Sequence, residues 1–223
     1  ADEDRYVAWK SVDGDYSETK AATWKTMVDG MLPKARLLDI IKNFVCFNDS
    51  GERIVKILAA YHQYFGVTKA IERAGQAVAG DGKIGVFWHT QGSGKSLSMV
   101  FFAHLLQARL DSPTIAVITD RNDLDDQLFG QFGRCKNFLR QTPVQATSRE
   151  NLKELLVGRE ANGIVFTTMQ KFTDGDEPLC DRSNVVVMVD EAHRGQYGMT
   201  EKMDESGKVS VGAARVVRKA LPN

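Results

Sequence analysis

The chain has 223 residues, 43% of them hydrophobic, and its 29 Lys+Arg are balanced by 29 Asp+Glu. That length can bury a core, and the balance excludes a general basic field that would draw in nucleic acid, so any such contact must come from local geometry. Cys46, Cys135 and Cys180 are widely spaced, which suits free thiols in a reducing cytosol and excludes a disulfide framework or a zinc site; no signal peptide or membrane-spanning run is read, so a cytoplasmic protein without membrane association is expected.

Residues 1 to about 30 are polar and mixed, with Trp9 and Trp24 as large exceptions. They read as a partly ordered connection whose tryptophans pack either locally or on a neighbouring domain. Met31 to Phe44 reads as a helix, with Pro33 in its first turn and Leu37, Ile40, Ile41 and Phe44 on one face. Phe44 to Phe47 and Arg53 to Leu58 read as a strand pair around the turn Asn48-Asp49-Ser50-Gly51. Tyr61 to Val78 is helical, with Tyr64, Val67, Ile71, Ala74 and Val78 in one stripe and Gln63 near its start. Strands near 84–88, 114–119, 163–168 and 184–189, and a weaker one near 143–146, then alternate with helices near 95–110, 122–133 and 149–157. This alternation predicts an α/β fold, a parallel sheet with helices on both faces. A polar loop from Gly195 to Gly207 and a closing helix from Val211 to Leu221 complete the chain.

Two motifs carry chemistry. His89-Thr90-Gln91-Gly92-Ser93-Gly94-Lys95-Ser96 lies between an apolar run and a helical segment. Glycines in such a turn let backbone N–H groups face an anion, and the following helix aims its positive end at the same place. The loop therefore predicts a phosphate-binding site for a nucleoside triphosphate, with Lys95 on the β- and γ-phosphates and the Ser96 hydroxyl on Mg²⁺. His89 stands where the pattern usually begins with glycine. The second motif, Asp190-Glu191-Ala192-His193, ends the β-branched run Val185 to Val189. Ligands gather at the carboxyl ends of strands in open α/β sheets, so the two motifs can converge on one site. Asp190 would hold the metal through a water, and Glu191 would orient the attacking water. His193 is not read as a metal ligand. Gln63 is open to two readings, a helix-end cap or an amide that reads adenine.

These motifs resemble motifs I and II of superfamily 2 helicases. With Tyr61-His62-Gln63-Tyr64, Thr119-Asp120-Arg121-Asn122-Asp123-Leu124-Asp125-Asp126-Gln127 and Arg194-Gly195-Gln196-Tyr197-Gly198, they closely resemble the motor subunit of type I restriction–modification enzymes. The resemblance runs from about Leu38 to Asn223. It implies a RecA-like first motor lobe at 59–223 preceded by a small mixed connecting segment at 1–58. It implies ATP and Mg²⁺ as cofactors, Gln63 as the adenine-reading glutamine, double-stranded DNA as substrate, and modification (methyltransferase) and specificity subunits as partners. It further implies backbone contacts to DNA from Arg121, Thr168 and Lys171, although Asp120, Asp123, Asp125 and Asp126 could equally pair with Arg121 or cap the next helix. The family's nuclease domain, motif III and second lobe are not found, so a fragment with little turnover of its own is expected. Another superfamily 2 enzyme and a non-catalytic nucleotide-binding docking module are the competing expectations.

Overall fold

The computed structural model describes residues 7–15, 23–119, 122–172, 178–192, 202–203, 209–210 and 213–222. The chain forms two compact units, residues 1–109 with 137–139, and residues 110–136 with 140–223.

The first unit opens with helix α1 (Trp24–Met31), whose N-terminus is capped by the Thr23 side chain accepting from the Thr26 N–H. Helix thus begins earlier than Met31, where the sequence placed its start. The expected helix from Met31 to Phe44 is in fact split, because Pro33 has no N–H to continue α1 and instead precedes α2 (Lys34–Asn43). Strands β1 (Val45–Asp49) and β2 (Ile54–Leu58) pair antiparallel from Val45↔Leu58 to Asp49↔Ile54, as the sequence predicts. Helix α3 (Tyr61–Val78) buries Tyr64, Val67, Ile71 and Ala74. Val78, its last residue, is 73% exposed and leaves the expected stripe. Trp9 is buried against the rings of Tyr61, Tyr64 and Phe65, so its packing is local, whereas Trp24 is 80% exposed. Phe44 joins α3 to helix α4 (Lys95–Arg109) through rings 4.8 Å from Tyr64 and 5.5 Å from Phe101.

The strand expected at 84–88 is not formed. Residues 83–90 carry no regular structure, Gly85 has φ +132°, and Val86 and Trp88 are exposed. Phe87 instead packs on α3, where the absent Cβ of Gly66 makes room: a Cβ there would lie 2.3 Å from Phe87 Cε2.

The second unit is a parallel sheet with strand order β4-β5-β3-β6, made of β3 (Thr114–Thr119), β4 (Val144–Gln145), β5 (Ile164–Thr168) and β6 (Val185–Val189). Every residue of β3 and β5 is buried, which explains their continuous apolar and threonine runs. Register pairs Ala116 with Val165 and Val117 with Phe166, so each pair shares a face. Ala116, Ile118 and Val165 cluster with Leu152 and Leu156 of α7 (Arg149–Val157) and with Val216 and Val217 of α8 (Ala213–Ala220). Phe166, pointing the other way, meets Phe129 and Phe132 of α5 (Asn122–Arg134) at 5.3 and 5.1 Å. Helices therefore cover both faces, as expected. Short helix α6 (Lys136–Leu139) follows α5. The segment expected as a polar loop, Gly195 to Gly207, contains strand β7 (Lys202–Met203), which pairs antiparallel with β8 (Val209–Ser210) just beyond it.

At the N-terminal end of this sheet the Arg182 guanidinium donates to the carbonyls of Leu156 (2.7 Å) and Glu160 (2.8 Å), to Thr114 Oγ1 (3.0 Å) and to Asn184 Oδ1 (2.7 Å). Thr114 Oγ1 in turn donates to the Asn162 carbonyl at 2.8 Å. Among the described residues no helix is long and apolar enough to cross a membrane.

Candidate nucleotide-binding site

The glycine-rich loop of the first unit, His89 to Ser96, has the backbone its sequence suggests. Gly92 and Gly94 have φ +79° and +80°, in the left-handed region that glycine enters freely. The Gly94 carbonyl accepts from the N–H groups of Leu97 (3.0 Å) and Ser98 (3.1 Å), which starts α4 directly behind the loop. A Cβ on Gly94 would come within 2.7 Å of Gln63 Nε2, so this position excludes a side chain twice over. A Cβ on Gly92 would meet nothing within 4 Å. The loop is turned back on itself by Ser93 N–H to the Thr90 carbonyl at 3.3 Å. Lys95 Nζ donates to the His89 carbonyl at 3.5 Å. Ser93 Oγ is buried and has no partner among the described residues.

Helix α3 supports this loop with two consecutive side chains. Gln63 accepts from the Ala60 N–H at 2.9 Å, capping α3, and donates to the Gly94 carbonyl at 3.0 Å. His62 Nε2 lies 3.0 Å from the Ser93 carbonyl, and since a carbonyl only accepts, the imidazole donates. The sequence pointed to Gln63 and missed His62; the signal was its place in Tyr61-His62-Gln63-Tyr64, one residue before the glutamine. Burial, then the neighbouring His62 and Lys95, hold the His89 imidazole below its ordinary pKa.

In the second unit Asp190 and Glu191 follow β6. The Asp190 N–H donates to the Ile118 carbonyl of β3 at 2.9 Å, and its Oδ1 accepts from the Glu191 N–H at 3.0 Å. Glu191 has φ +50°, a left-handed backbone that a side chain normally avoids. Thr168 is 2% exposed, and its hydroxyl accepts from Lys171 Nζ at 3.3 Å. Arg121 and His193 lie outside the described residues. Among the described residues no three His, Cys, Asp or Glu side chains cluster as a metal site.

The sequence profile of the SWI2/SNF2 ATPase family matches residues 62–223. Over its whole length the chain is 45% identical to the type I restriction enzyme HindI endonuclease subunit of Haemophilus influenzae, covering 22% of that protein. It is 30% identical to the putative type I restriction enzyme MjaIXP endonuclease subunit of Methanocaldococcus jannaschii, again over the whole chain and 22% of the relative. The SauCOLORF180P endonuclease subunit of Staphylococcus aureus is 26% identical over 82% of the chain and 19% of that subunit. The chain thus spans about a fifth of the length of the relatives it matches.

Proposed function

Because the chain belongs to the SWI2/SNF2 ATPase family and its homologues are type I restriction endonuclease subunits, we propose that it is the ATP-binding first motor lobe of such a subunit. In the intact enzyme this lobe would take part in ATP-driven movement of double-stranded DNA before cleavage, beside modification and specificity subunits in the cytoplasm. One observation carries the nucleotide reading. The loop from His89 to Ser96 has its carbonyls at Ser93 and Gly94 held by α3, and its two left-handed glycines lie directly before the N-terminus of α4. That arrangement leaves backbone N–H groups for an anion at the positive end of a helix.

The loop N–H groups of Gln91, Gly92, Gly94, Lys95 and Ser96 would bind the phosphates, with Thr90 and Ser93 shaping the turn. Lys95 would exchange the His89 carbonyl for the β- and γ-phosphates. The Ser96 hydroxyl and the Asp190 carboxylate are hard oxygen donors that fit Mg²⁺, an ion that keeps several waters and so needs few protein ligands. When bound, Mg²⁺ supplies charge neutralisation at the phosphate oxygens. Glu191 would orient the attacking water and take its proton. Gln63 uses one amide hydrogen and one lone pair inside the fold, and its second hydrogen and second lone pair are what would read adenine. Lys171 and Thr168, whose cation and hydroxyl lie together, and Arg121 are the proposed contacts to DNA phosphates.

Calorimetric titration of Mg²⁺-ATP tests this reading. Binding by the chain should weaken roughly a hundredfold, about 2.7 kcal/mol, in Lys95→Ala. Failure of the parent chain to bind, or unchanged affinity in Lys95→Ala, would overturn it. In the full-length subunit Glu191→Gln should abolish ATP hydrolysis while leaving ATP binding in place.

A further inference from the structure

A phosphate loop turns its N–H groups toward the anion, which sends its carbonyls outward and in need of donors. Here consecutive residues of α3 reach two of them at 3.0 Å each, His62 to Ser93 and Gln63 to Gly94, the latter carbonyl also accepting from the Leu97 and Ser98 N–H groups. The same His62 ring lies 4.5 Å from the ring of His89, at 36°. His89 in turn is stacked on Phe87 at 5.4 Å and 25°. Phe87 is seated on α3 at Gly66. Phe87, His89 and His62 therefore form one continuous stack from the segment entering the loop to the helix that braces it. His89 occupies the place of the usual first glycine, and its carbonyl receives Lys95 Nζ.

Resting on the nucleotide reading of this loop, we propose that His62 and His89 are positioning residues for ATP binding. His62 fixes the middle of the loop through the Ser93 carbonyl, and the His89 ring locks the loop's entry against α3. Neither side chain is needed to touch the nucleotide. Each acts by keeping the loop N–H groups aimed and Lys95 within reach.

The stack also links binding to protons. The titratable groups acting on His89 are His62 from α3 and Lys95 from α4, and Tyr61 flanks His62. Burial first, then these two neighbours, favour the neutral His89 ring. A depressed imidazole pKa contributes stability that is present above the ordinary value of 6.5 and is lost as pH falls through the lower, folded value. Acidification below about 6.5 thus opposes the stacked loop and should weaken nucleotide binding.

The test is calorimetric titration of Mg²⁺-ATP into the full chain at pH 8 and pH 5.8. His62→Phe keeps a ring for the stack and removes the donor, and should weaken binding at pH 8 about tenfold. His62→Gln returns an amide N–H at similar reach and should recover most of that loss. His89→Phe keeps the stack and removes the proton. Protonation of ATP itself affects parent and variant alike, so the parent should lose about twofold more affinity between the two pH values than His89→Phe does. His62→Phe binding within twofold of the parent, or equal pH losses in the parent and His89→Phe, would overturn the proposal. If the parent binds no ATP, the nucleotide reading fails, and the brace is judged alone by ¹⁵N NMR of the imidazoles: a proton on His62 Nε2 upholds it, and a neutral ring protonated only on Nδ1 overturns it.

Discussion

Thr114 and Thr119 begin and end the same central strand and are equally buried, at 0% and 1% exposure. Their hydroxyls are in opposite circumstances. Thr114 Oγ1 donates to the Asn162 carbonyl and accepts from Arg182, whereas Thr119 Oγ1 has no partner among the described residues. The contrast extends across the sheet. At the N-terminal end one guanidinium closes off two carbonyls, a hydroxyl and an amide. The carboxyl end has a buried hydroxyl without a partner among the described residues and an acidic pair whose glutamate has a left-handed backbone. Polar groups satisfied within the fold add stability, and polar groups or strain left standing are available for ligands and chemistry. One end of the sheet is thus closed by its own hydrogen bonds, and the other carries the residues proposed for chemistry.

The largest expected effect breaks the first half of this comparison. Arg182→Ala leaves the Leu156 carbonyl and the Thr114 hydroxyl without this donor, and leaves the Glu160 carbonyl to Asn184 Nδ2. Three charge-assisted bonds at about 1 kcal/mol or more each predict a loss of about 3 kcal/mol in urea unfolding. Arg182→Lys should recover less than half, because an ammonium cannot reproduce the planar fork. A loss below about 1 kcal/mol would show that the end is held by something other than this residue.

The paired substitutions Thr114→Val and Thr119→Val come next, and they sharpen the comparison because only the sign matters. Valine has nearly the shape of threonine. At position 114 it removes two hydrogen bonds, one to the Asn162 carbonyl and one from Arg182, for a predicted loss of about 2 kcal/mol. At position 119 it removes a buried hydroxyl without a described partner, for a predicted gain of about 1 kcal/mol. Shifts of the same sign would abolish the distinction between the two ends of β3.

The sequence revealed unequal amounts of the two ends. β3 and β5 were legible because strands buried on both faces need continuous β-branched and apolar runs; β6 has the same kind of run, but Val186 and Val187 are only half-buried and Val189 is exposed, so its composition overstated its burial. The left-handed Gly92 and Gly94 and the helix starting at Lys95 were legible because a glycine-rich turn into a helix makes local demands on backbone conformation. The Arg182 clasp was not legible, since its bond to Thr114 spans 68 positions and its bond to Leu156 spans 26, and nothing in the local sequence of Leu179-Cys180-Asp181-Arg182 marks a donor for such distant groups. The stretch from Ile84 to Trp88 misled for a related reason. Its apolar run has strand composition, but a strand also needs a partner ladder, and Phe87 is instead seated singly on α3 at Gly66. The His62 brace escaped the sequence reading because its target is a backbone carbonyl 31 residues away, and carbonyls carry no residue identity to search for.

The smallest effect concerns Glu191 and isolates strain from side-chain loss. Substituting Ala and Gly at this position removes the carboxylate in both cases, so the difference between the two variants reports mainly on the backbone. At an ordinary helix or strand position Ala is the more stable by about 0.5–1 kcal/mol, because Gly loses more conformational entropy on folding. At φ +50° the Cβ is crowded against the backbone, and the order should invert, with Glu191→Gly more stable than Glu191→Ala by about 0.5–1 kcal/mol. Thermal unfolding of the two variants side by side checks this. An inverted order would mean that the fold maintains strain at the proposed water-orienting residue, as expected where the side chain's direction matters more than its stability. The usual order would mean that the left-handed backbone is relaxed in solution, and Glu191 would then have to be aimed by its side-chain contacts alone.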